Sequence, residues 1–470
     1  MNKGKYLLKN IGLLTIGQFA TKIITFLFTP LYTSILLTSE FGTYDIYNTT
    51  ITLLIPLLTL NIFEATLRFS LDGKNTNEAL KIGIKHICIG SLICLGLIVA
   101  NLSIGIYPVL NEYWYYFITL FVFVSFVELL SSFARGIDKV SVLALSGVIG
   151  SSGTIFANVV LLVVFKFGLT GYFLSHVIGY FFQLLYLVFK IYPIKRIQGI
   201  SIDKSYEREM VRYSRPLIWN SLAWWINDIS DRYIVTTMCG LAANGIYAAA
   251  YKIPSMLNIF QTIFNRAWTL SAVKDYDKDD HSGFFTRTYE IYNAAIVILC
   301  SFLIIFDKPI ALYLFRKDYF IAWQYAPFLL ISIVFGSISG YIGGLFAAVK
   351  NTKIYSISTG VGAIFNIVFN IILIHFLGVI GAAISTCFSN VLIWLIRLAT
   401  VKKYMKLRIK LSKHVMMYVI LVLQAIILLL VKDALLMYSM LLGCFSLIIA
   451  INLNTIKLII QRLLSLLHRA

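Results

Sequence analysis

The chain has 470 residues, of which 59% are hydrophobic and only 13% are charged, and its formal net charge is +19. A soluble domain is typically about 45–50% apolar and about 25% charged, so this composition excludes an ordinary soluble protein. Helices can satisfy all their backbone hydrogen bonds internally while they cross lipid. The composition therefore predicts an all-α polytopic membrane protein.

Apolar runs of roughly 20 residues, each long enough to cross a hydrocarbon core of about 30 Å, recur along the whole chain. They predict about 14 transmembrane helices, at residues 10–35, 42–68, 82–107, 114–134, 141–165, 169–190, 213–239, 244–270, 288–314, 322–348, 354–377, 379–400, 414–431 and 434–456. The first run is too long for a signal peptide and shows no small-residue cleavage site, so it is predicted to be a retained helix. The basic, amphipathic tail after the last span is predicted to lie along the cytoplasmic surface of the membrane.

Positive charges are distributed unequally between the two sides of the predicted membrane. Of the 40 lysine and arginine residues, 32 lie in or beside the loops on the side of the termini and 5 lie on the opposite side. Because loops rich in these residues stay in the cytoplasm, both termini are predicted to be cytoplasmic. The net charge is then a sign of orientation and of contact with the lipid bilayer. No nucleic acid is predicted as a partner.

Two basic loops divide the predicted helices into groups of six, six and two. The predicted organisation is an N-lobe over 1–193, a basic cytoplasmic linker over 194–212, a C-lobe over 213–406, and two final helices with the tail over 407–470. Short matches relate the two lobes: Gly42 and Tyr44 with Gly245 and Tyr247, Lys139 with Lys353, and Gly168, Gly171 and Ser175 with Gly378, Gly381 and Ser385. These matches indicate an internal repeat, and transporters commonly bind their substrate between such halves.

The first two helices of each lobe carry polar side chains at helical spacing, whereas the last two helices of the chain carry almost none. A charge at the bilayer centre costs roughly 2.5–3.5 kcal/mol, so these side chains are predicted to line a wet cavity between the lobes. Lys22 is predicted to contact substrate. Asp228 and Arg232 are four residues apart and are interpreted either as a structural ion pair or as part of an anion site. Glu128 and His176 are interpreted either as proton relays or as hydrogen-bonded interior groups.

No set of catalytic residues is evident in the sequence. It contains no phosphate-binding P-loop, no HEXXH helix and no nucleophile elbow, so the protein is predicted not to be an enzyme. The six cysteines lie in apolar segments and are interpreted as buried apolar residues, and neither a cofactor nor a metal is predicted. Any transport would then use an ion gradient, the membrane potential or downhill exchange.

Two stretches resemble a known family. They are "KNIGLLTIGQFATKIITFLFTPLYTSILLTSEFGTYDIY" near the N-terminus and "DRYIVTTMCGLAANGIYAAAYKI" at residues 231–253. Both resemble the bacterial polysaccharide-biosynthesis (Wzx-type) flippases of the multidrug/oligosaccharidyl-lipid/polysaccharide exporter superfamily, and the resemblance covers essentially the whole chain. It implies two pseudo-symmetric six-helix lobes around a V-shaped central cavity, followed by a C-terminal helix pair.

The resemblance also implies a function. Flippases of this family move undecaprenyl-pyrophosphate-linked oligosaccharide repeat units from the cytoplasmic to the outer leaflet by alternating access. The implied location is the bacterial cytoplasmic (inner) membrane. A polysaccharide polymerase and chain-length machinery are the implied protein partners. The polymer itself, whether O-antigen, capsule or exopolysaccharide, is left open.

The family typically presents cations to its cavity, so the matching positions are implied to bind pyrophosphate: Lys22, Arg232, Lys252 and Arg266. The positions expected to contact the sugar are Gln18, Asn220, Trp224, Asn227, Tyr247, Tyr251, Asn258 and Gln261. The candidates for coupling to protons, sodium or the membrane potential are Asp45, Asp228, Asp231, Glu128 and His176. The two acids beside Arg232 depart from a simple cationic wall.

Three alternative functions remain open at this point. A peptidoglycan-precursor (lipid II) flippase would move a closely related anionic lipid. A multidrug/cation antiporter of the same superfamily should have a more acidic and apolar cavity, against which Lys22 and Lys252 argue. A membrane glycosyltransferase or polymerase would normally show a large outer loop, and the predicted outer loops are short.

Overall fold

The computed structural model describes residues 21–71, 73, 75–274, 276–349 and 352–457, and the regular secondary structure of these residues is helical, with no β-strand among them. This confirms the predicted all-α class. The chain divides into two compact units, Met1–Trp225 and Ile226–Ala470. The division falls inside one long helix, Lys204–Cys239. The predicted lobe and linker boundaries stay a prediction.

The first unit consists of helices joined by short turns. Its α-helices are α1 (Thr29–Ile35), α2 (Thr38–Leu58), α3 (Ile62–Leu71), α4 (Thr76–Ile104), α5 (Trp114–Gly136), α6 (Val140–Asn158), α7 (Gly168–Ile191) and α8 (Pro193–Ile197). A π-helical stretch, Val159–Val164, continues α6, and a single 3₁₀ turn, Pro108–Leu110, precedes α5.

The long helix α9 (Lys204–Cys239) belongs to both units. The second unit continues with α10 (Leu241–Ala250), α11 (Lys252–Lys274), α12 (Phe284–Ile305), α13 (Asp307–Leu314), α14 (Ala326–Ala348), α15 (Thr352–Leu377), α16 (Val379–Val401), α17 (Leu411–Leu430) and α18 (Ala434–Ile451). A 3₁₀ stretch, Lys317–Gln324, connects α13 to α14. Most of the amphipathic tail predicted after the last span lies outside the described residues.

Several helix ends are fixed by polar groups that satisfy the free backbone atoms there. The Glu40 carboxylate accepts a hydrogen bond of 2.7 Å from the Leu37 N–H before α2. The Asp433 carboxylate accepts one of 2.7 Å from the Leu436 N–H and caps α18. Because the first N–H groups of a helix have no partner within the helix, such acceptors define where these helices begin.

The described residues include most of the predicted membrane spans. Among the described residues, 10 helices are long and apolar enough to cross a membrane, or 11 if the bent pair α2 and α3 forms one span. These helices correspond to the second to sixth and the ninth to fourteenth predicted spans. The first predicted span lies largely outside the described residues. The seventh and eighth correspond to the more polar α9, α10 and α11, so the total of 14 stays a prediction.

The second span is not the continuous helix that the sequence predicts. α2 and α3 are bent by 59°, and Leu60 and Asn61 at the break both have a φ of 54°. Two successive left-handed residues cannot continue an α-helix, so the chain changes direction there. The amide of the buried Asn61 contacts the Ser221 hydroxyl at 3.4 Å. The predicted eighth span is also divided, at Tyr251 between α10 and α11.

The two units repeat the same local structure where their corresponding helices α7 and α16 begin. Gly168 and Gly378 precede or start these helices with φ values of +54° and +65°. Seven residues later, the Ser175 hydroxyl donates to the Asn158 side chain at 2.7 Å in one unit. In the other unit, the Ser385 hydroxyl donates to the Asn366 carbonyl at 3.1 Å. Each serine ties its helix to the preceding one, which supports the internal repeat seen in the sequence.

A second glycine of this repeat allows two helices to approach closely. A Cβ at Gly381 would overlap the backbone carbonyl of Leu373 on α15. We expect Gly381→Ala to lower the free energy of unfolding by about 1–3 kcal/mol, because backbone cannot move aside as a flexible side chain can. The matched control is Gly360→Ala, since a Cβ there meets nothing within 4 Å and alanine favours a helix by about 0.5–1 kcal/mol. Thermal unfolding in detergent measures both, and equal stabilities would contradict the close approach.

Helix α17 is fixed to α12 within the second unit by buried polar side chains. Asn293 on α12 is hydrogen bonded to His414 and accepts a bond of 2.9 Å from the Tyr418 hydroxyl, both on α17. Farther along, the Ser301 hydroxyl donates to Gln424 at 2.7 Å. Such hydrogen bonds between helices stabilise packing where lipid offers no polar partner. In the sequence, α17 and α18 show no polar stripe, because their few polar side chains are widely spaced.

Candidate functional site

The most polar buried site in the described part of the second unit surrounds Asp231. This residue lies on α9 and is 1% exposed. The Tyr247 hydroxyl donates to its Oδ2 at 2.6 Å, and the Tyr251 hydroxyl donates to the same atom at 3.0 Å. The two tyrosines are four residues apart, so the end of α10 presents both hydroxyls on one face. A carboxylate is thus held by two phenols inside the protein.

A chain of neutral polar side chains continues from Asp231 into α16 and α15. The Thr386 hydroxyl lies 3.5 Å from Asp231 Oδ2 and 3.0 Å from the Ala382 carbonyl. The Asn366 amide donates to the Thr386 hydroxyl at 3.4 Å, and the Asn370 amide donates to Asn366 Oδ1 at 2.8 Å. All these side chains are buried. The network therefore joins four helices, α9, α10, α15 and α16, around one carboxylate.

A second polar layer lies one helical turn away. The buried Asn227 side chain is 3.5 Å from the Ser389 hydroxyl, which donates to the Gly362 carbonyl at 2.8 Å. The Asn390 amide donates to the Ser332 hydroxyl at 2.8 Å. Sequence reasoning had singled out Asn227 and missed the residues on α14, α15 and α16. The sequence pattern that could have identified these residues is the helical spacing of polar residues in otherwise apolar spans, as for Asn366 and Asn370.

Arg232 follows Asp231 in the chain, and its guanidinium lies against the aromatic ring of Tyr251. Its guanidinium carbon is 5.1 Å from the centre of the Tyr251 ring, a cation–π distance. Tyr251 therefore contacts the carboxylate of Asp231 with its hydroxyl and the cation of Arg232 with its ring. The side chains of Asp228 and Arg266 lie outside the described part of the chain. The predicted Asp228–Arg232 pair therefore stays a prediction.

The other predicted substrate positions differ in exposure. Gln18 lies outside the described residues, and Lys22 is an exposed residue on a helical segment that precedes α1. Asn220, Trp224 and Asn258 are exposed, Lys252 and Gln261 are partly buried, and Tyr247 and Asn227 are buried. An exposed polar side chain in a membrane span avoids lipid by facing water. The exposed members are therefore suited to contact substrate directly, whereas Tyr247 contacts Asp231.

The first unit contains a different titratable cluster. His176 on α7 has its ring centre 4.5 Å from that of Tyr44 and 4.6 Å from that of Tyr172. Its Nδ1 lies 2.9 Å from the Tyr172 carbonyl, and because a carbonyl only accepts, Nδ1 must carry a proton. Asp45, beside Tyr44 in the sequence, is 6% exposed. Glu128 lies on α5 and is exposed.

The repeat places His176 and Thr386 at equivalent positions, each directly after the serine that ties its helix to the preceding one. Tyr44 and Tyr247 are also equivalent in the sequence repeat. In each unit, a tyrosine therefore lies near the same position of the last helix of the predicted six-helix lobe, which is α7 in the first unit and α16 in the second. A buried carboxylate bonded to that tyrosine is described only in the second unit, at Asp231.

The chemistry of these groups limits what they can bind. Among the described residues, no cluster of three or more His, Cys, Asp or Glu side chains could hold a metal ion. The Asp231 site combines one carboxylate with hydroxyl and amide groups. Such a set can accept a proton or offer oxygen atoms to a small hard cation. It does not provide the cationic surface that a pyrophosphate needs.

Solved structures with the same architecture are membrane transport proteins. The lipid II flippase MurJ in an inward closed conformation matches with a TM-score of 0.70 and 15% identity, covering 95% of this chain and 99% of that chain. An inward-facing multidrug resistance MATE family transporter of the MOP superfamily matches with a TM-score of 0.67 and 14% identity, covering 82% and 96%. A MOP superfamily transporter from Pyrococcus furiosus matches with a TM-score of 0.57 and 13% identity, covering 84% and 96%. At these identities the matches show a shared fold.

The sequence comparisons give the family. A comparison with curated proteins found no match. The family model described as "Polysaccharide biosynthesis protein" matches residues 7–270. That range is more than half of the 470-residue chain and includes both stretches on which the resemblance was based. The protein therefore belongs to the polysaccharide biosynthesis protein family, has the MATE and MurJ type of fold, and is a multi-pass membrane protein.

Proposed function

We propose that this protein is a flippase for undecaprenyl-pyrophosphate-linked oligosaccharide repeat units. It moves them from the cytoplasmic to the outer leaflet of the bacterial cytoplasmic membrane by alternating access, without acting as an enzyme and without a cofactor. Family membership over residues 7–270 is the observation that carries this proposal. The fold shared with a lipid II flippase and with MATE transporters supports it.

The residues divide into two groups by their surroundings. The exposed Lys22, Asn220, Trp224 and Asn258 are proposed to contact the headgroup and sugar. Phosphate needs positive partners, whereas sugar hydroxyls need amides and an aromatic face. Arg232, Lys252 and Arg266 are proposed as further cations for the diphosphate. The lipid tail remains in the bilayer, where the hydrophobic effect keeps it.

The Asp231 site is proposed to couple transport to an ion gradient. Asp231 contacts side chains on α10 and α16, so a change in its charge changes hydrogen bonds to two helices at once. A bound proton or sodium ion can therefore favour one conformation of these helices over another. Asp45 and His176 are proposed as a secondary titratable pair in the first unit.

A leaflet-accessibility assay tests the function directly. Purified full-length protein is reconstituted in liposomes with a fluorescent undecaprenyl-pyrophosphate oligosaccharide, and a membrane-impermeant quencher reports the fraction in the outer leaflet. We expect protein-dependent redistribution that depends on a proton or sodium gradient. No redistribution of any lipid-linked oligosaccharide would contradict the proposal.

Lipid II flipping is the second candidate, because the match to MurJ covers 95% of this chain and 99% of that one. The same assay separates the two functions when lipid II replaces the oligosaccharide lipid. Preferential movement of lipid II would favour the second candidate. We expect preferential movement of the longer oligosaccharide, in keeping with the family to which the sequence belongs. Proposed protein partners, a polymerase and the chain-length machinery, act after this step.

Lys22 provides a mutational test of the substrate site. We expect Lys22→Ala to reduce surface polysaccharide by about tenfold or more, because a lost charge-assisted bond to phosphate costs about 1.5–3 kcal/mol. The matched control is Lys402→Ala, another exposed lysine. Surface polymer is measured in a flippase-deficient strain, with membrane levels of each variant measured in parallel. Wild-type polymer with Lys22→Ala would remove this residue from the site.

A further inference from the structure

The first turns of α9 carry a stripe of exposed cations that the transport proposal does not use. Lys204, Arg208, Arg212 and Arg215 are all exposed. Their spacings of four, four and three residues place them on one face of the helix. The stripe extends over about 16 Å, since each helical residue rises about 1.5 Å. It precedes the polar part of the same helix, where Asn220 and Trp224 lie.

The stripe borders an open cleft of about 510 Å³, and every described residue that lines it lies on one face of α9. The cleft is lined by the four cations together with Glu207, Val211 and Pro216. All these residues belong to the first unit. Four cations and one carboxylate leave the lining with a formal charge of +3. A cleft with this charge is suited to a polyanion rather than to a sugar or an apolar chain.

The one carboxylate in the lining already has cationic partners elsewhere. Glu207 accepts hydrogen bonds from Lys85 Nζ at 2.8 Å and contacts His86 Nε2 at 2.9 Å, both on α4. The Lys85 ammonium holds the pKa of Glu207 below its usual value, so this carboxylate stays charged at neutral pH. The contacts fix the start of α9 against α4. Because Glu207 is paired with these residues of α4, it does not neutralise the charge of the four cations in the stripe.

The arginines of the stripe have no ion pair with any described carboxylate. Arginine presents a planar fork that binds phosphate oxygens with two parallel hydrogen bonds. Arg208 and Arg212 are one turn apart, so their side chains begin about 6 Å from each other. From that separation, two long arginine side chains can converge on the two phosphate groups of one diphosphate.

We propose that this cleft binds the diphosphate group of a membrane lipid at the cytoplasmic surface, before the lipid reaches the polar part of α9. The identity of the lipid rests on the proposed function, whereas the diphosphate chemistry rests on the cleft itself. The site is an entry site, separate from the buried Asp231 network of the second unit. A solvated surface charge would bind any anion weakly. The row of guanidiniums should favour a diphosphate, which carries more charge and more acceptor oxygens than a single phosphate.

Binding to two matched triple variants tests this site. Arg208→Gln/Arg212→Gln/Arg215→Gln removes three charges from the stripe. Lys402→Gln/Lys403→Gln/Lys410→Gln removes three charges from exposed residues of the loop before α17. Full-length protein is placed in nanodiscs of phosphatidylcholine, which has no net charge. The probes are undecaprenyl pyrophosphate, undecaprenyl phosphate, cardiolipin and inorganic pyrophosphate.

We expect the arginine variant to bind undecaprenyl pyrophosphate at least about tenfold more weakly, and the lysine variant to change binding by less than about twofold. Arg208→Lys/Arg212→Lys/Arg215→Lys keeps the charge but loses the fork, so it should show an intermediate loss. Inorganic pyrophosphate should compete in the wild-type protein and not in the arginine variant. Unchanged thermal stability in all three variants confirms that they fold.

The other outcomes separate this inference from the proposed function. Equal losses in the two glutamine variants would show bulk charge alone and overturn the site. Selective loss of cardiolipin binding, with undecaprenyl pyrophosphate unaffected, would also overturn it. If the wild type moves lipid-linked oligosaccharides and the arginine variant still binds undecaprenyl pyrophosphate normally, the function stands and the site falls. If the wild type moves no such lipid but binding of both diphosphates still needs the arginines, the site stands and the function falls.

Discussion

Asp231→Asn is expected to reduce gradient-driven transport by about 10–100-fold while the protein stays folded, because coupling free energies of about 1–3 kcal/mol correspond to changes of this size. Asparagine has nearly the same shape as aspartate and can still accept from the Tyr247 and Tyr251 hydroxyls, which lie 2.6 and 3.0 Å from the native carboxylate. It cannot gain or lose a proton, and it binds a cation more weakly. The leaflet-accessibility assay with and without an imposed proton or sodium gradient measures the effect.

Asp307→Asn is the matched control for this prediction. Asp307 is also fully buried in the second unit, but neither of its carboxylate oxygens has a hydrogen-bond partner among the described residues. Because an unpaired buried charge costs more than a neutral buried amide, Asp307→Asn should leave stability equal or higher and transport unchanged. Gradient dependence retained in Asp231→Asn, or lost equally in both variants, would contradict the specific role of Asp231.

Arg397→Ala is expected to lower the free energy of unfolding by about 3–5 kcal/mol, since it removes several buried hydrogen bonds at once. Arg397 lies on α16 and is 3% exposed. Its guanidinium donates at 2.9 Å to the Ser358 hydroxyl, to the Thr359 hydroxyl and to the Ser339 carbonyl. It also lies 4.1 Å from the centre of the Tyr355 ring. One side chain thus joins α14, α15 and α16.

Thermal unfolding in detergent, followed by size-exclusion chromatography, measures this loss. Arg397→Lys should recover only part of the stability, because lysine has a single ammonium and cannot reach three acceptors as a planar fork does. Arg316→Ala is the matched control, since Arg316 is exposed and its loss should change stability by less than about 0.5 kcal/mol. Equal stability of Arg397→Ala and Arg316→Ala would show that the observed hydrogen bonds contribute nothing.

The sequence singles out the helices and the members of the buried network on α9 and beside α10, which are Asp231, Asn227, Tyr247 and Tyr251, but not its members on α15 and α16. Long apolar runs give helices because lipid leaves the backbone no other partner. Asp231 stands out because a carboxylate in such a run is expensive and therefore informative. Asn366 and Thr386 are neutral and cost less, so they give a weaker signal. Their contact with α9 and with each other depends on packing between helices far apart in sequence.

Two other features show where sequence patterns fail. The break at Leu60 and Asn61 contains neither proline nor glycine, so nothing local predicts left-handed backbone at both positions. In the sequence, Arg397 lies next to a basic loop that is predicted to be cytoplasmic, whereas the structure buries it among three helices. A charge at the end of an apolar run looks the same in sequence whether it orients the protein or joins helices. The acceptors around it decide which, and they come from other helices.

In the sequence, α17 and α18 follow the two predicted groups of six helices and look separable from them. The structure differs. Hydrogen bonds of Asn293 with His414 and Tyr418, and of Ser301 with Gln424, fix α17 against α12. Removal of the chain from Leu411 onward would expose the polar side chains of α12 to hydrocarbon, which cannot form hydrogen bonds with them. Helices α17 and α18 are therefore structural members of the second unit, and α12 depends on α17 for its buried hydrogen-bond partners.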